Sequence, residues 1–227
     1  PPLEGPHAHR PEMDGAPAAA DPADAARGFF RIVVRRGGLD MENASAEGMA
    51  RILERLAREG RHPWLKVFPN GDLLVGGNFG IAGGTNASCI ARWNGTTWSA
   101  LGTGVGWDVL AMTTMQNGDV VAGGMFSSAG GTSASCVARW DGQNWSTLGT
   151  GVNNPVYELA VLQNGDLDAG GQFTTAGGVP ANYIARWDGS SWSALGSGMS
   201  FFVRALTVLQ NGDLFVGGLT RTVDTFP

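Results

Sequence analysis

Asn117-Gly118-Asp119-Val120-Val121-Ala122-Gly123-Gly124 is the stretch that decides the fold, because near-copies of it recur at a fixed interval. The Asn-Gly-Asp triplet returns at 70–72, 117–119, 164–166 and 211–213, which makes every interval 47 residues. An apolar run precedes each triplet, and a second apolar run that ends in Gly-Gly follows it. Such a period is typical of repeat architectures. We place the array at residues 64–221, about three and a third repeats.

The second half of each repeat carries its own pattern. A further glycine pair leads to Ala-Arg-Trp at 91–93, 138–140 and 185–187, and another tryptophan follows five residues later. Asn-Gly or Asp-Gly lies between the two tryptophans. Because Asn-Gly and Asp-Gly accept the positive φ angles of a two-residue hairpin turn, each repeat predicts two hairpins. Four short strands per repeat form one propeller blade, so we expect a mainly β fold, a partial β-propeller of four-stranded blades.

The repeat resembles the kelch-type unit of galactose-oxidase-like propellers. Val120–Gly124, Trp140 and Trp145 match that unit in order, although the first aromatic is Trp where kelch repeats prefer Tyr, and it lies closer to the second. The array is similar to kelch-like repeats of large bacterial, planctomycete-type surface or secreted proteins. The resemblance implies an extracellular or cell-surface location, although no signal peptide is visible after Pro1. It implies little about activity, because propellers host unrelated functions.

The residues before the array differ from it in composition. Nine of the fifteen Lys and Arg residues lie before residue 62. Residues 1–27 are rich in Pro and Ala, which predicts a disordered tail. Residues 28–63 predict a strand over 28–35 and an amphipathic helix over 45–59. The helix either packs on this protein or contacts a membrane or a partner. We treat residues 222–227 as a second tail.

Most of the repeated polar and aromatic residues have a structural interpretation. We expect the aspartates and arginines to form charge-assisted pairs or backbone bonds at strand ends. One carboxylate per turn does not supply the six to eight oxygens that calcium takes, so we expect no metal. We expect the tryptophans to pack between blades rather than stack on sugars. These structural residues are Asp72, Asp119, Asp166, Asp213, Arg92, Arg139, Arg186, Trp93, Trp140, Trp187, Trp98, Trp145 and Trp192.

Two residues that break the period are the candidate ligand contacts. Trp107 lies in a connection between blades, where the next repeat has Asn154. Asp168 replaces an apolar residue of the other repeats, for example Val121. Since an unpaired buried carboxylate is costly, we expect Asp168 to face a channel or a solvated edge.

The sequence offers no catalytic set. No histidine follows His62, and Tyr157 and Tyr183 are the only tyrosines, so the ligands of a copper oxidase are lacking. No nucleophilic triad or paired acid and base is apparent. We therefore expect no enzyme activity and no cofactor. The net charge of −5 does not favour nucleic acid, and no apolar run is long enough for a membrane span.

Three functions remain open, and the first two belong to different classes. The first is a structural or protein-interaction scaffold of a larger bacterial surface or secreted protein. The second is a carbohydrate-binding, lectin-like propeller that uses loop aromatics such as Trp107. A third is a non-catalytic part of an enzyme whose site lies in blades that this chain lacks. Because propellers have about four to eight blades, the chain predicts an open arc, or self-association through exposed blade edges.

Overall fold

A computed structural model of the 227-residue chain describes residues 30–35, 38–43, 65–68 and 70–218. The tails predicted at 1–27 and 222–227 and the helix predicted over 45–59 lie outside these residues. Strand β1 (Phe30–Arg35) falls within the stretch predicted as a strand. It pairs with β2 (Gly38–Asn43), which the sequence analysis did not predict because Gly37-Gly38 indicated only a break.

Each of the three complete repeats forms one antiparallel four-stranded blade, and the strands lie side by side in chain order. Blade 1 contains β3 (Leu65–Val67), β4 (Leu73–Gly76), β7 (Ile90–Trp93) and β8 (Trp98–Ala100). Blade 2 contains β9 (Val109–Thr114), β10 (Val120–Gly124), β13 (Val137–Trp140) and β14 (Trp145–Thr147). Blade 3 contains β15 (Val156–Val161), β16 (Leu167–Gly171), β19 (Ile184–Trp187) and β20 (Trp192–Ala194). A half-blade of β21 (Val203–Val208) and β22 (Leu214–Gly218) follows, and the predicted partial β-propeller is confirmed.

A small hairpin between the second and third strands of each blade was not predicted. These hairpins are β5 (Ile81–Ala82) with β6 (Thr85–Asn86), β11 (Ser128–Ala129) with β12 (Thr132–Ser133), and β17 (Thr175–Ala176) with β18 (Val179–Pro180). The second glycine pair of the repeat makes the turn, with positive φ at Gly130 (61°) and Gly131 (80°). A bridge from Ala129 to Val105 ties the hairpin to the connection from the preceding blade.

The turns within the blades are longer than predicted, and the two-residue interpretation of Asn-Gly is wrong. Gly118 has a φ of 90°, but Asn117 is not among the residues with positive φ. The Met115 N–H donates to the Asp119 carbonyl, and the Gly118 N–H donates to the Met115 carbonyl (2.8 and 2.9 Å). This pattern is a three-residue loop closed by a left-handed glycine. Asn117 contributes through its side chain, which accepts the Asp119 N–H and donates to the Asp119 carboxylate.

The Gly-Gly pair brings neighbouring blades into close contact. A Cβ atom at Gly123 would lie 2.6 Å from Cγ1 of Val156, the first residue of the next blade. Gly76 and Gly170 meet Val109 and Val203 in the same way. First strands of neighbouring blades also contact each other at every joint, so they lie nearest the common axis. Only glycine permits this spacing between blades.

The repeated tryptophans of blades 2 and 3 close the outer part of the joints with the preceding blades, as the structural interpretation expected. The Trp192 indole N–H donates to the Leu148 carbonyl of the preceding blade at 2.8 Å. Trp145 makes the same bond to Leu101 at 2.7 Å. The ring of Trp187 lies against Gly149 and, at 5.5 Å between centroids, beside Trp192. These two joints therefore combine apolar burial with a satisfied indole donor.

We predict that Gly123→Ala lowers the free energy of unfolding by about 1–3 kcal/mol, because the added methyl group overpacks the joint against Val156. Gly80→Ala is the matched control, since a Cβ atom there has no heavy atom within 4 Å. Urea denaturation of both variants measures the difference. Equal midpoints for the two variants would contradict the close-approach interpretation.

Candidate functional site

The edge where the first strand of a blade begins and the second strand ends is called the loop face. In blade 2 this edge carries Trp107, Asp108 and Met125. The Met125 N–H donates to the Asp108 carbonyl at 2.9 Å, which holds the two segments together. Gly124 permits the approach, because a side chain there would collide with the same carbonyl oxygen. The absence of a side chain at Gly124 thus lets the segment that carries Trp107 and Asp108 approach the segment that carries Met125.

Trp107 and Met125 are exposed apolar side chains of the loop face, with 58% and 48% of their surface accessible. The equivalent positions in blade 3 are Asn154 and Gln172, both polar. Phe201, 42% exposed, takes the place of Trp107 ahead of the half-blade. The same backbone therefore presents different chemistry in successive repeats, whereas the joints repeat their residues.

Asp108 follows Trp107 in the chain and is partly buried. Its Oδ1 atom is buried and has no hydrogen-bond partner among the described residues, and burial raises the pKa of this carboxyl group. Burial also raises the pKa of the nearby Cys89 thiol, and the Asp108 charge adds to that effect. Cys89 is held at a φ of 67°, as are Cys136 (60°) and Tyr183 (65°) at the equivalent positions.

A second group of side chains lies nearer the axis. The Tyr157 hydroxyl donates to Oε1 of Gln172 at 2.7 Å. The Arg204 guanidinium lies 4.6 Å from the centre of the Tyr157 ring. Tyr157 and Arg204 both fall at register shifts of the innermost strands, and such bulges re-aim side chains. Sequence reasoning missed this group because cross-blade contacts have no local signal.

Three aromatic rings form a cluster ahead of the half-blade. The ring centroids of Phe201 and Phe202 are 4.5 Å apart, and Tyr183 meets Phe202 edge-on at 5.5 Å. This geometry is favourable for aromatic pairs. Phe201 remains partly exposed on the loop face, with 42% of its surface accessible.

Glu158 follows Tyr157 on an innermost strand and is partly buried. Burial raises the pKa of its carboxyl group to about 7, although the Leu159 N–H and the charge of Lys66 oppose that shift. The Leu159 N–H donates to Oε1 of Glu158 at 3.3 Å. Glu158 therefore changes its charge near neutral pH.

Asp168 is fully buried, so the prediction that it faces a channel or a solvated edge is wrong. It lies opposite Arg186 on the neighbouring strand, and the Arg186 guanidinium donates to both carboxylate oxygens at 2.7 and 2.9 Å. Burial raises the pKa of Asp168, and the bonds from Arg186 oppose that shift. The ion pair with Arg186 compensates the buried charge of Asp168 within the sheet. The repeat period alone does not reveal this partner.

The pairing expected from the repeat therefore differs between blades. Arg92 pairs with Asp72 and Arg139 pairs with Asp119, which is the charge-assisted pairing that the sequence analysis gave as one of two alternatives. In blade 3 Arg186 pairs with Asp168, and the turn residue Asp166 keeps the asparagine bond that the other turns also have, here from the Asn164 side chain.

Among the described residues no three His, Cys, Asp or Glu side chains come together as a candidate metal site. In the same residues no helix has the length and apolar character needed to cross a membrane.

Comparison with known proteins identifies the propeller. Residues 65–214 match the model of the Rax2 C-terminal beta propeller domain. The chain belongs to this family. The match covers all three blades and reaches the first residue of β22.

Solved structures give weaker similarities. The extracellular domain of a putative one component system from B. thetaiotaomicron is 12% identical with a TM-score of 0.46, over 67% of this chain and 20% of that one. The extracellular domain of a putative hybrid two component system from the same organism is 11% identical with a TM-score of 0.45, over 67% and 19%. This chain thus spans about a fifth of those chains. No curated protein matches it significantly.

We predict that Arg186→Met destabilises the protein by about 3 kcal/mol, because it leaves a fully buried carboxylate without its partner. Arg139→Met is the matched control and should cost about 1 kcal/mol or less, since Asn117 still bonds Asp119 and Arg139 is exposed. Chemical denaturation of both variants measures the difference. Equal losses of unfolding free energy in the two variants would show that breaking the Asp168–Arg186 pair costs no more than breaking the Asp119–Arg139 pair.

We predict that Glu158 makes the protein less stable as the pH rises from about 4.5 to about 7. The folded pKa lies above the unfolded value, so the folded state holds the proton more tightly and loses that advantage as the carboxyl group ionises. Thermal melting at pH 5 and pH 8 should show a smaller decrease for Glu158→Gln than for the wild type. An unchanged decrease would contradict this assignment.

Proposed function

We propose that this propeller is a non-catalytic interaction scaffold of a larger surface or secreted protein, and that its loop face binds a protein partner. One observation carries the proposal. The repeated tryptophans are used in the joints, whereas the exposed apolar side chains of the loop face break the period. Residues that the fold does not need are the ones available for recognition.

The chemistry of the loop face supports a protein partner. Trp107 and Met125 lie on the two segments that the Met125–Asp108 backbone bond joins, and both apolar side chains are exposed. Aromatic residues and methionine are enriched in the buried centres of protein interfaces. Tryptophan is also among the residues that most often dominate binding energy.

The carboxylates of the repeats support a non-catalytic role. Asp72 and Asp119 each bind an asparagine and an arginine, and Asp168 is enclosed with Arg186. None of these three is available to a substrate. The kelch-like, bacterial and extracellular character of the protein is part of the proposal and rests on the resemblance of the repeat.

The protein-partner proposal is tested by placing a photo-crosslinking amino acid at position 107 in the producing cells. The matched control places it at Gln143, an exposed turn residue at the opposite end of blade 2. We expect one discrete adduct from position 107 and none from position 143. Equal or absent crosslinking at both positions would reject a partner on the loop face.

Carbohydrate binding is the second candidate, and the Tyr157 group favours it. Tyr157, Gln172 and Arg204 combine a ring face with hydrogen-bonding groups, which suits a sugar. Trp107 could contribute a stacking surface.

We predict that a lectin of this kind binds a defined set of glycans on an array and loses at least tenfold in affinity with Trp107→Ala, because ring stacking is removed. Phe215→Ala is the control, since Phe215 is equally exposed but lies on β22. A blank array with a folded protein would reject this candidate.

A further inference from the structure

We infer that the loop face at the joint of blades 1 and 2 binds an arginine side chain of the protein partner. Asp108 is the carboxylate that pairs with the guanidinium, and Trp107 is the ring on which the guanidinium stacks. The inference rests on the proposed function and deepens it, because it names the chemistry that the partner presents to the loop face.

Asp108 is an isolated charge on the loop face. The chain segments that form the loops of this face are 77–89, 101–108, 125–136, 148–155, 172–183 and 195–202. Asp108 is the one charged residue in these segments. The other charged residues of 65–218 lie on strands or in the turns at the opposite end of the blades. A purely apolar partner would bury this carboxylate unpaired, so the charge favours a partner that brings a cation to it.

The fold does not require a carboxylate where Asp108 lies. The equivalent residues are Pro155 in blade 3 and Phe202 in the half-blade. The backbone contact is nevertheless retained, since the Pro155 carbonyl accepts the Gln172 N–H at 2.9 Å, the same distance as the corresponding bond in blade 2. The carboxyl group of Asp108 is therefore not needed for the joint and is available for recognition.

The described residues do not compensate the charge of Asp108. Its Oδ1 atom is buried and has no hydrogen-bond partner among them, although the residue as a whole is partly exposed. Burial raises the pKa of this carboxyl group, and no cation of the described residues opposes the shift. Arg186, by contrast, opposes the same shift at Asp168. A guanidinium from the partner supplies the positive charge that Asp108 lacks.

The exposed ring next to this carboxylate favours arginine among the cationic side chains. Trp107 precedes Asp108 in the chain and is 58% exposed. A planar guanidinium stacks on an indole and donates to a carboxylate, whereas the ammonium group of lysine is a compact and strongly hydrated charge. The chain itself contains this combination, because Arg92 lies over the Phe68 ring at 5.7 Å and pairs with Asp72.

Backbone bonds hold the segment that carries both contact residues. The Gly106 N–H donates to the Ser128 carbonyl of the small hairpin at 2.8 Å. The Val109 N–H donates to the Gly77 carbonyl of blade 1 at 3.3 Å. Because the contact residues lie between these two bonds, the loop is already ordered, which lowers the entropic cost of binding.

The cellular test places the photo-crosslinking amino acid at Ser127, an exposed loop-face residue, so that Trp107 and Asp108 stay intact. We expect an adduct in the wild type, about tenfold less adduct with Asp108→Asn, and an unchanged yield with Asp141→Asn. Asp141→Asn is the matched control, because the equivalent turn of blade 1 has Asn94. Thermal melting verifies folding, and Asp108→Asn should not lower the melting temperature.

The result separates this inference from the proposed function. An adduct that Asp108→Asn leaves unchanged would overturn the inference and keep the proposed protein partner. Absence of an adduct in the wild type at both position 107 and position 127 would reject the proposed function and the inference together.

A defined probe tests the chemistry without the partner. The full chain is labelled with fluorotryptophan, and Trp107→Phe assigns the Trp107 signal in the fluorine NMR spectrum. N-acetyl-arginine methylamide should shift this signal saturably, whereas its neutral citrulline analogue should not. Asp108→Asn should weaken binding of the arginine probe about fivefold or more, since it removes the charge of the acceptor. Equal shifts with both probes, no shift with either, or equal affinity of Asp108→Asn and wild type would each overturn the inference.

Discussion

The propeller depends on the absence of a side chain at one position of each repeat. Gly76, Gly123 and Gly170 let the first valine of the following blade approach where a Cβ atom would collide. This contact sets the distance between blades near the axis, and the tryptophans then close the wider outer gap. The number of residues between the Gly-Gly pair and the tryptophans of a repeat is therefore constrained. Both the glycine and the rings must contact a neighbouring blade in a joint of the same geometry.

Blade 3 shows that the arginine of a repeat can change its ion-pair partner while the four-stranded sheet is kept. The arginine is retained, but its acceptor moves from the turn residue to Asp168 on the facing strand. The cost of burying a carboxylate is offset because Arg186 binds both oxygens. The two residues that depart from the period therefore differ in their structural surroundings. Asp168 is buried in the sheet and paired, whereas Trp107 is exposed.

The loop face varies from repeat to repeat and offers apolar side chains beside hydrogen-bonding groups, which suits a partner that is unrelated to the propeller.

The sequence by itself determined the 47-residue period, the four strands per blade and the structural interpretation of the tryptophans. Those features depend on residue type and spacing, which repeat. Tertiary structure decided the partner of Arg186, the small hairpins and the contact of Tyr157 with Arg204. These depend on distances between strands and between blades. Hairpin length was also mispredicted, because Asn117 acts through its side chain and only Gly118 takes the left-handed backbone.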